Sequence, residues 1–186
     1  NGACPDILQG YGPFVWIANS GELKLRMTRA GFFPIVIAAS LALVTAVVGG
    51  SITVLDDWYY SLKQPTWAPP DYMFGVIWTA IFALIAVAGV LAWEKARTRR
   101  EVEVILGMFA LNGFLNLGWS FLFFRMERPD IALYELVALW LSIFVLILFC
   151  GRFSKWSAAL LVPYLAWVTT AGVLNYQVVQ LNGPFG

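Results

Sequence analysis

Five apolar runs, at roughly 32–55, 74–93, 104–124, 131–151 and 158–181, limit what this chain can fold into. Each matches the ~20 residues that a helix needs to cross the hydrocarbon core of a bilayer. Inside that core an unpaired backbone N–H or C=O has no water to bond, so each run is expected to close its own hydrogen bonds as a helix. The breaks "EKARTRREVE", "RMERPD" and "RFSKWS" are short and charged. Short connections make consecutive helices antiparallel neighbours. The expected fold is an all-α membrane protein, a compact bundle of five transmembrane helices. Composition agrees: 60% of residues are hydrophobic and 12% charged, where a soluble domain is nearer half and a quarter. Residues 32–182 form this domain, 1–31 an N-terminal extension that is non-membrane or interfacial, and 183–186 a short tail.

The chain contains no histidine. That removes Ser-His-Asp and Cys-His catalysis, a His-ligated haem and most zinc or copper sites. No cofactor is required by anything in the sequence. A net charge of +1 gives no broad attraction to nucleic acid. Cys4 and Cys150 lie far apart, one in the extension and one in a predicted span, so no mutual disulfide is expected. Nine basic residues (Lys24, Arg26, Arg29, Lys95, Arg97, Arg99, Arg100, Arg152 and Lys155) flank one membrane face, and three (Lys63, Arg125 and Arg128) flank the other. The positive-inside rule then puts the N-terminus on the cytoplasmic side, or its organellar equivalent. In the extension, Phe14, Val15, Trp16 and Ile17 are expected to meet a partner, the interface or the domain's own surface.

The helices carry patterned small and polar residues. Ala38, Ala42, Ala46 and Gly50 recur every four residues, a stripe that lets a neighbouring helix approach closely. Asn112, Asn116, Trp119 and Phe123 share one face of the third run. Amides in hydrocarbon need partners, so that face points inward. Pro163 is expected to kink the last helix, and beyond it Tyr164, Trp167, Ala171, Leu174 and Asn175 share a face. Individually each is structural glue; together they outline a cavity walled by aromatic rings with a few hydrogen-bonding groups, the usual make-up of a small-molecule site. Glu135, one turn into the fourth run, is expected to snorkel outward, since a helix N-terminus favours negative charge.

Residues 56–74, "DDWYYSLKQPTWAPPDYMF", join the first two runs. Pro65, Pro69 and Pro70 stiffen the segment. Its Trp and Tyr rings suit the headgroup region, either as a belt that sets depth or as a rigid lid over a cavity between helices.

The segments "WYYSLKQPTWAPPDYMFGVIWT", "LNLGWSFLFF" and "VPYLAWVTTAGVLNYQ" resemble the TspO/translocator-protein family, the tryptophan-rich sensory proteins or peripheral-type benzodiazepine receptors. The likeness covers about residues 32–182, in order. It implies five helices around a pocket for a porphyrin such as protoporphyrin IX or another planar hydrophobic ligand, closed by the first loop. Carried over position by position, the implied ligand-binding residues are Trp58, Trp67, Pro69, Pro70, Trp78, Asn116, Trp119, Trp167, Ala171 and Leu174. The likeness also implies a possible homodimer. The proposed cholesterol motif of vertebrate members is incomplete, because "QVVQLNGPFG" has no basic residue. Without histidine a metal-free porphyrin is favoured over haem. The expected function is a tetrapyrrole-binding receptor, carrier or regulator. The alternatives are a subunit of a larger membrane complex, such as a photosynthetic one, joined through residues 1–31, and light-dependent porphyrin degradation. No side-chain set for ordinary acid–base or nucleophilic catalysis is present.

Overall fold

The computed structural model describes the backbone of residues 14–19, 22–27 and 29–185, and the side chains of residues 32–185. Two strands, β1 (Phe14–Asn19) and β2 (Glu22–Met27), pair antiparallel from Phe14↔Met27 to Asn19↔Glu22. Six helices follow: α1 (Arg29–Ile52), α2 (Asp57–Ser61), α3 (Asp71–Lys95), α4 (Arg99–Ser120), α5 (Pro129–Gly151) and α6 (Lys155–Asn182). All but α2 are long and apolar enough to cross a membrane. The five-helix bundle is therefore as expected. The hairpin and α2 have no counterpart in the sequence reading, and the contacts expected of Phe14, Val15, Trp16 and Ile17 fall on side chains outside the described residues.

Three helices, α2, α4 and α6, start where a side chain offers the orphan N–H groups a partner. At α4, Thr98 Oγ1 accepts from Glu101 N, while Glu101 Oε2 accepts from Thr98 N and Arg97 N; this capping box starts the helix five residues before the apolar run does. Ser154 caps α6 and Asp56 caps α2 through side-chain oxygens. Pro129 opens α5, where its missing N–H costs nothing. The end of α4 is unusual. A π-helical turn, Phe121–Arg125, extends it. Glu127 then takes φ 53°, and Arg128 N–H reaches back to Leu122 O. Helix α6 continues through Pro163, where a kink was expected.

Around the bundle α1 packs on α3, α3 on α6, α6 on α5, α5 on α4, and α4 returns to α1. Three buried clusters fill it. Leu62, Phe123, Ala132 and Val178 sit at the end nearest α2. Ile81, Leu136, Leu139, Ile143, Tyr164 and Val168 hold the middle. Ala88, Ala92, Ile105, Leu146, Cys150 and Leu161 hold the opposite end. Lipid is as apolar as leucine, so close contact and interhelical hydrogen bonds, more than apolar burial, must hold spanning helices together. Ser157 Oγ donates to Ala88 O at 2.6 Å, and Trp140 Nε1 to Thr169 Oγ1 at 2.9 Å.

The α5–α6 seam is tightest at Gly172, where a Cβ would stand 3.0 Å from Leu136 Cδ2, while one at Gly107 would meet nothing within 4 Å. Replacing Gly172 by Leu should therefore overpack the seam and cost roughly 1–3 kcal/mol. Gly107→Ala should stabilise by about 0.4–1 kcal/mol. Thermal unfolding in detergent should show opposite shifts of the midpoint.

Candidate functional site

The chain between α1 and α3 forms a cover fixed to the far end of α6. Lys63 N donates to Asn182 Oδ1 at 2.8 Å, and Asn182 Nδ2 returns a bond to Lys63 O at 3.0 Å. Trp67 Nε1 donates to Gln177 Oε1 at 2.8 Å. These ties join residues more than a hundred positions apart, so they close the bundle end. Within the cover, Asp56 starts α2, and Tyr59 OH donates to Asp71 Oδ1 at 3.1 Å, linking α2 to the first turn of α3. Burial, together with the Asp71 carboxylate, pushes the Tyr59 phenol above its usual range. The phenol thus stays protonated, and able to donate, beyond the pH at which a free tyrosine ionises. Pro70 is the N-cap of α3, and Pro69 precedes it in the same stiff segment.

Under the cover the aromatic rings form three sets, which come together where Trp78, Trp119 and Trp167 pack on the middle cluster. Trp58 meets Phe123 edge-on at 6.1 Å, and Trp119 lies 5.3 Å from Phe123. Trp119 packs on both the α2-end cluster and the middle cluster. Trp78 stacks on Phe82 at 5.5 Å and meets Tyr164 edge-on at 6.1 Å. Trp167 meets Phe74 at 5.7 Å and also packs on the middle cluster. Leu174 joins the α2-end cluster. Ala171 lies one turn beyond Trp167 on α6 and is half-buried.

A directional hydrogen-bond chain runs through the centre. Asn116 Nδ2 donates to Tyr164 OH at 3.4 Å, and Tyr164 OH donates to Asn112 Oδ1 at 3.1 Å. Asn112 Nδ2 donates to Ser142 Oγ at 2.8 Å, which donates to Leu139 O at 2.7 Å. Three helices are joined by it, and Asn112, Asn116 and Tyr164 are almost completely buried.

Of the ten positions carried over from the family, Trp58, Trp119 and Leu174 meet at the α2-end cluster, and Trp78, Trp119 and Trp167 at the middle cluster. Asn116 reaches the same centre through Tyr164. Trp67, Pro69 and Pro70 lie in the cover. Tyr164 and Ile81 are buried in the middle cluster on which Trp78, Trp119 and Trp167 pack. A cavity of about 300 Å³ lies further down, between α1, α3 and α4; among the ten positions only Asn116 lines it.

Two buried polar groups near the rings have no partner among the described residues: the Trp167 indole N–H and both oxygens of Glu135. The expectation that Glu135 snorkels is corrected. Its carboxylate turns inward against α4, where a Cβ on Gly118 would stand 3.6 Å from Oε1. The absent side chain at Gly118 leaves room for it, a signal that spacing alone does not carry. Phe123 was expected on the inward face; Phe74 and Phe82 were missed as wall residues. Nothing in a phenylalanine's local sequence separates ring-on-ring packing from plain lipid exposure.

Against known proteins, the sequence profile of the TspO/MBR family matches residues 35–181. The tryptophan-rich protein TspO of Chlorobaculum tepidum is 41% identical over 148 residues, 76% of this chain and 91% of that protein. Protein CrtK of Rhodobacter capsulatus is 32% identical over 76% of this chain and 89% of its own length. The translocator protein of Bos taurus is 33% identical over 67% of this chain and 75% of its own. The shared length coincides with the five spanning helices and the cover between the first two. This chain is an integral membrane protein of the TspO/MBR family.

Proposed function

We propose that this protein is a membrane receptor or carrier that binds a metal-free tetrapyrrole of the protoporphyrin type and regulates its level. The observation that carries this reading is the unpartnered Trp167 indole N–H, buried among rings beneath a cover that is tied shut at Asn182 and Gln177. A buried donor without an acceptor costs about 1–3 kcal/mol. A ligand carbonyl or carboxylate that reaches it removes that cost only in the bound state. The rings of Trp78, Trp119 and Trp167 offer faces to a conjugated macrocycle, each stacked pair contributing about 0.5–1.5 kcal/mol beyond area burial. The Glu135 carboxylate is a buried acceptor for a pyrrole N–H. The names of relatives, a tryptophan-rich sensory protein of Cereibacter sphaeroides and translocator proteins of mammals, support a sensing or carrying role. The cover faces the side opposite the cytoplasm, because three basic residues flank its end of the bundle and nine flank the other.

Titration with protoporphyrin IX should quench tryptophan fluorescence saturably. Trp78→Phe and Trp167→Phe should each weaken binding by about twofold to tenfold, the equivalent of one lost ring contact. Linear, unsaturable quenching, or affinities unchanged in both variants, would count against the site.

Cover opening is separately measurable. Asn182→Ala removes both bonds to Lys63, at about 1 kcal/mol each. Hydrogen exchange at the amides of residues 62–68 should speed up by tenfold or more, while exchange in α5 stays the same. Opening of α2, read by exchange after correction for the intrinsic pH dependence, should be constant below the usual tyrosine range and grow easier as pH rises through and above it, because the open state frees a Tyr59 phenol that ionises sooner. A phenol with a raised folded pKa stabilises fully below its unfolded pKa, and that contribution fades only as pH climbs toward the folded value.

Orientation has its own test. In a Cys4→Ser background, an impermeant maleimide should label Thr66→Cys in sealed cells, and Arg99→Cys only after permeabilisation. The reverse pattern would invert the assigned topology.

A further inference from the structure

The cavity between α1, α3 and α4 shares Phe82 and Tyr164 with the aromatic group under the cover, and the rest of its lining lies outside that group. Along α3 it runs from Phe82 to Trp93, and along α4 from Ile105 to Leu117. At 1.5 Å per helical residue the slot is about 16–18 Å long and parallel to the helices. Its walls are apolar, with Ala38, Ala42, Gly89 and Ala110 making the room. It opens sideways toward lipid. Helices α1 and α4 come close in their cover-side halves, where a Cβ on Gly49 would stand 3.5 Å from Leu117 and one on Gly113 3.4 Å from Thr45 Oγ1. Below these contacts Leu41 and Phe114, 43% and 72% exposed, stand at the slot's rim. At the far end the Phe33 and Trp93 rings meet edge-on at 6.2 Å and tie α1 to α3.

The inner end of this slot is polar in a specific way. Asn116 lines it and is 5% exposed. The central hydrogen-bond chain runs from Asn116 Nδ2 through Tyr164 to Asn112, all three of which line the slot, and on to Ser142. Among the described residues nothing donates to Asn116 Oδ1. A carbonyl left open at the end of an apolar slot recognises a hydrogen-bond donor, and a hydroxyl is the least costly donor to bring into hydrocarbon.

From this geometry we infer a second binding site, for a slender lipophile that carries one terminal hydroxyl. The hydroxyl donates to Asn116 Oδ1 and the chain lies along α3 toward Trp93. An extended chain advances about 1.2 Å per bond, so a slot of this length holds about a dozen carbons. Entry is lateral, between α1 and α4, and leaves the cover shut.

The test is photolabelling of the purified protein in nanodiscs with a twelve-carbon alcohol that bears a mid-chain diazirine. Labelled residues should fall on the facing stretches of α1, α3 and α4, around Ala42, Gly89 and Phe109. Unlabelled 1-dodecanol should compete at about tenfold lower concentration than dodecane, the difference one buried hydrogen bond makes. Equal competition by alkane and alcohol, or label scattered over the lipid-facing surfaces of α5 and α6, would overturn the proposal. Ala42→Phe should fill the slot and abolish the label while leaving protoporphyrin quenching unchanged. The slot and the aromatic site therefore fail separately.

Discussion

Hydrocarbon gives a polar side chain nothing to bond with, and the centre of this bundle is organised around that fact. Tyr164 is 1% exposed and both accepts and donates a hydrogen bond. Losing either asparagine partner would strand a phenol in a medium that cannot solvate it, at about 1–3 kcal/mol. Because the partners sit on α4 and the relay ends on α5, that local requirement fixes three helices in register. Ser157 and Trp140 do the same between α6 and α3 and between α5 and α6. The apolar clusters fill what these bonds define. Apolar packing alone would let the helices slide, since leucine against lipid differs little from leucine against leucine.

The sequence was most legible where one principle acted alone. Run length against bilayer thickness placed all five spans, and the i, i+4 spacing of Asn112 and Asn116 placed both amides inside. It was least legible where two local rules competed. Glu135 obeys the helix-start rule for an acidic residue, yet turns inward because Gly118, on another helix, leaves room beside it. The start of α4 was placed at residue 104 from hydropathy, but Thr98 and Glu101 nucleate it earlier through a polar cap that a hydropathy window cannot register. The same limit applies to the candidate site. The rings could be named from the sequence, but not their packing on the middle cluster that holds Tyr164 and Ile81, because such contacts depend on rotamers set by neighbouring helices.

The cover shows how a loop becomes a structural element. Its prolines lower the entropy of the open chain, so fixing it shut costs less than for a flexible linker. The ties then act at both ends of the segment: Tyr59 to Asp71 locally, and Lys63 and Trp67 to α6 across the whole sequence. Each bond is modest by itself. They lie close together on a stiff segment, so one can hardly break without straining the next. Opening should therefore be cooperative, with the whole segment swinging rather than fraying. A flat guest larger than any gap in the closed state needs that kind of motion.

Asn116 links the two halves of the molecule. Its amide nitrogen is bound to Tyr164, which meets Trp78 and also lines the slot, while its oxygen takes no donor among the described residues. A hydroxyl donated to that oxygen polarises the amide and strengthens the bond that its nitrogen makes to Tyr164, since chained hydrogen bonds reinforce one another in a low dielectric. A guest under the cover that displaces the Trp78 ring pulls on the same phenol. Any coupling between the two occupants must then be reciprocal, and limited to what one buried relay can carry, on the order of 1 kcal/mol. The asparagine's two ends thus make the bundle's central hydrogen-bond chain the shortest physical route between the two sites.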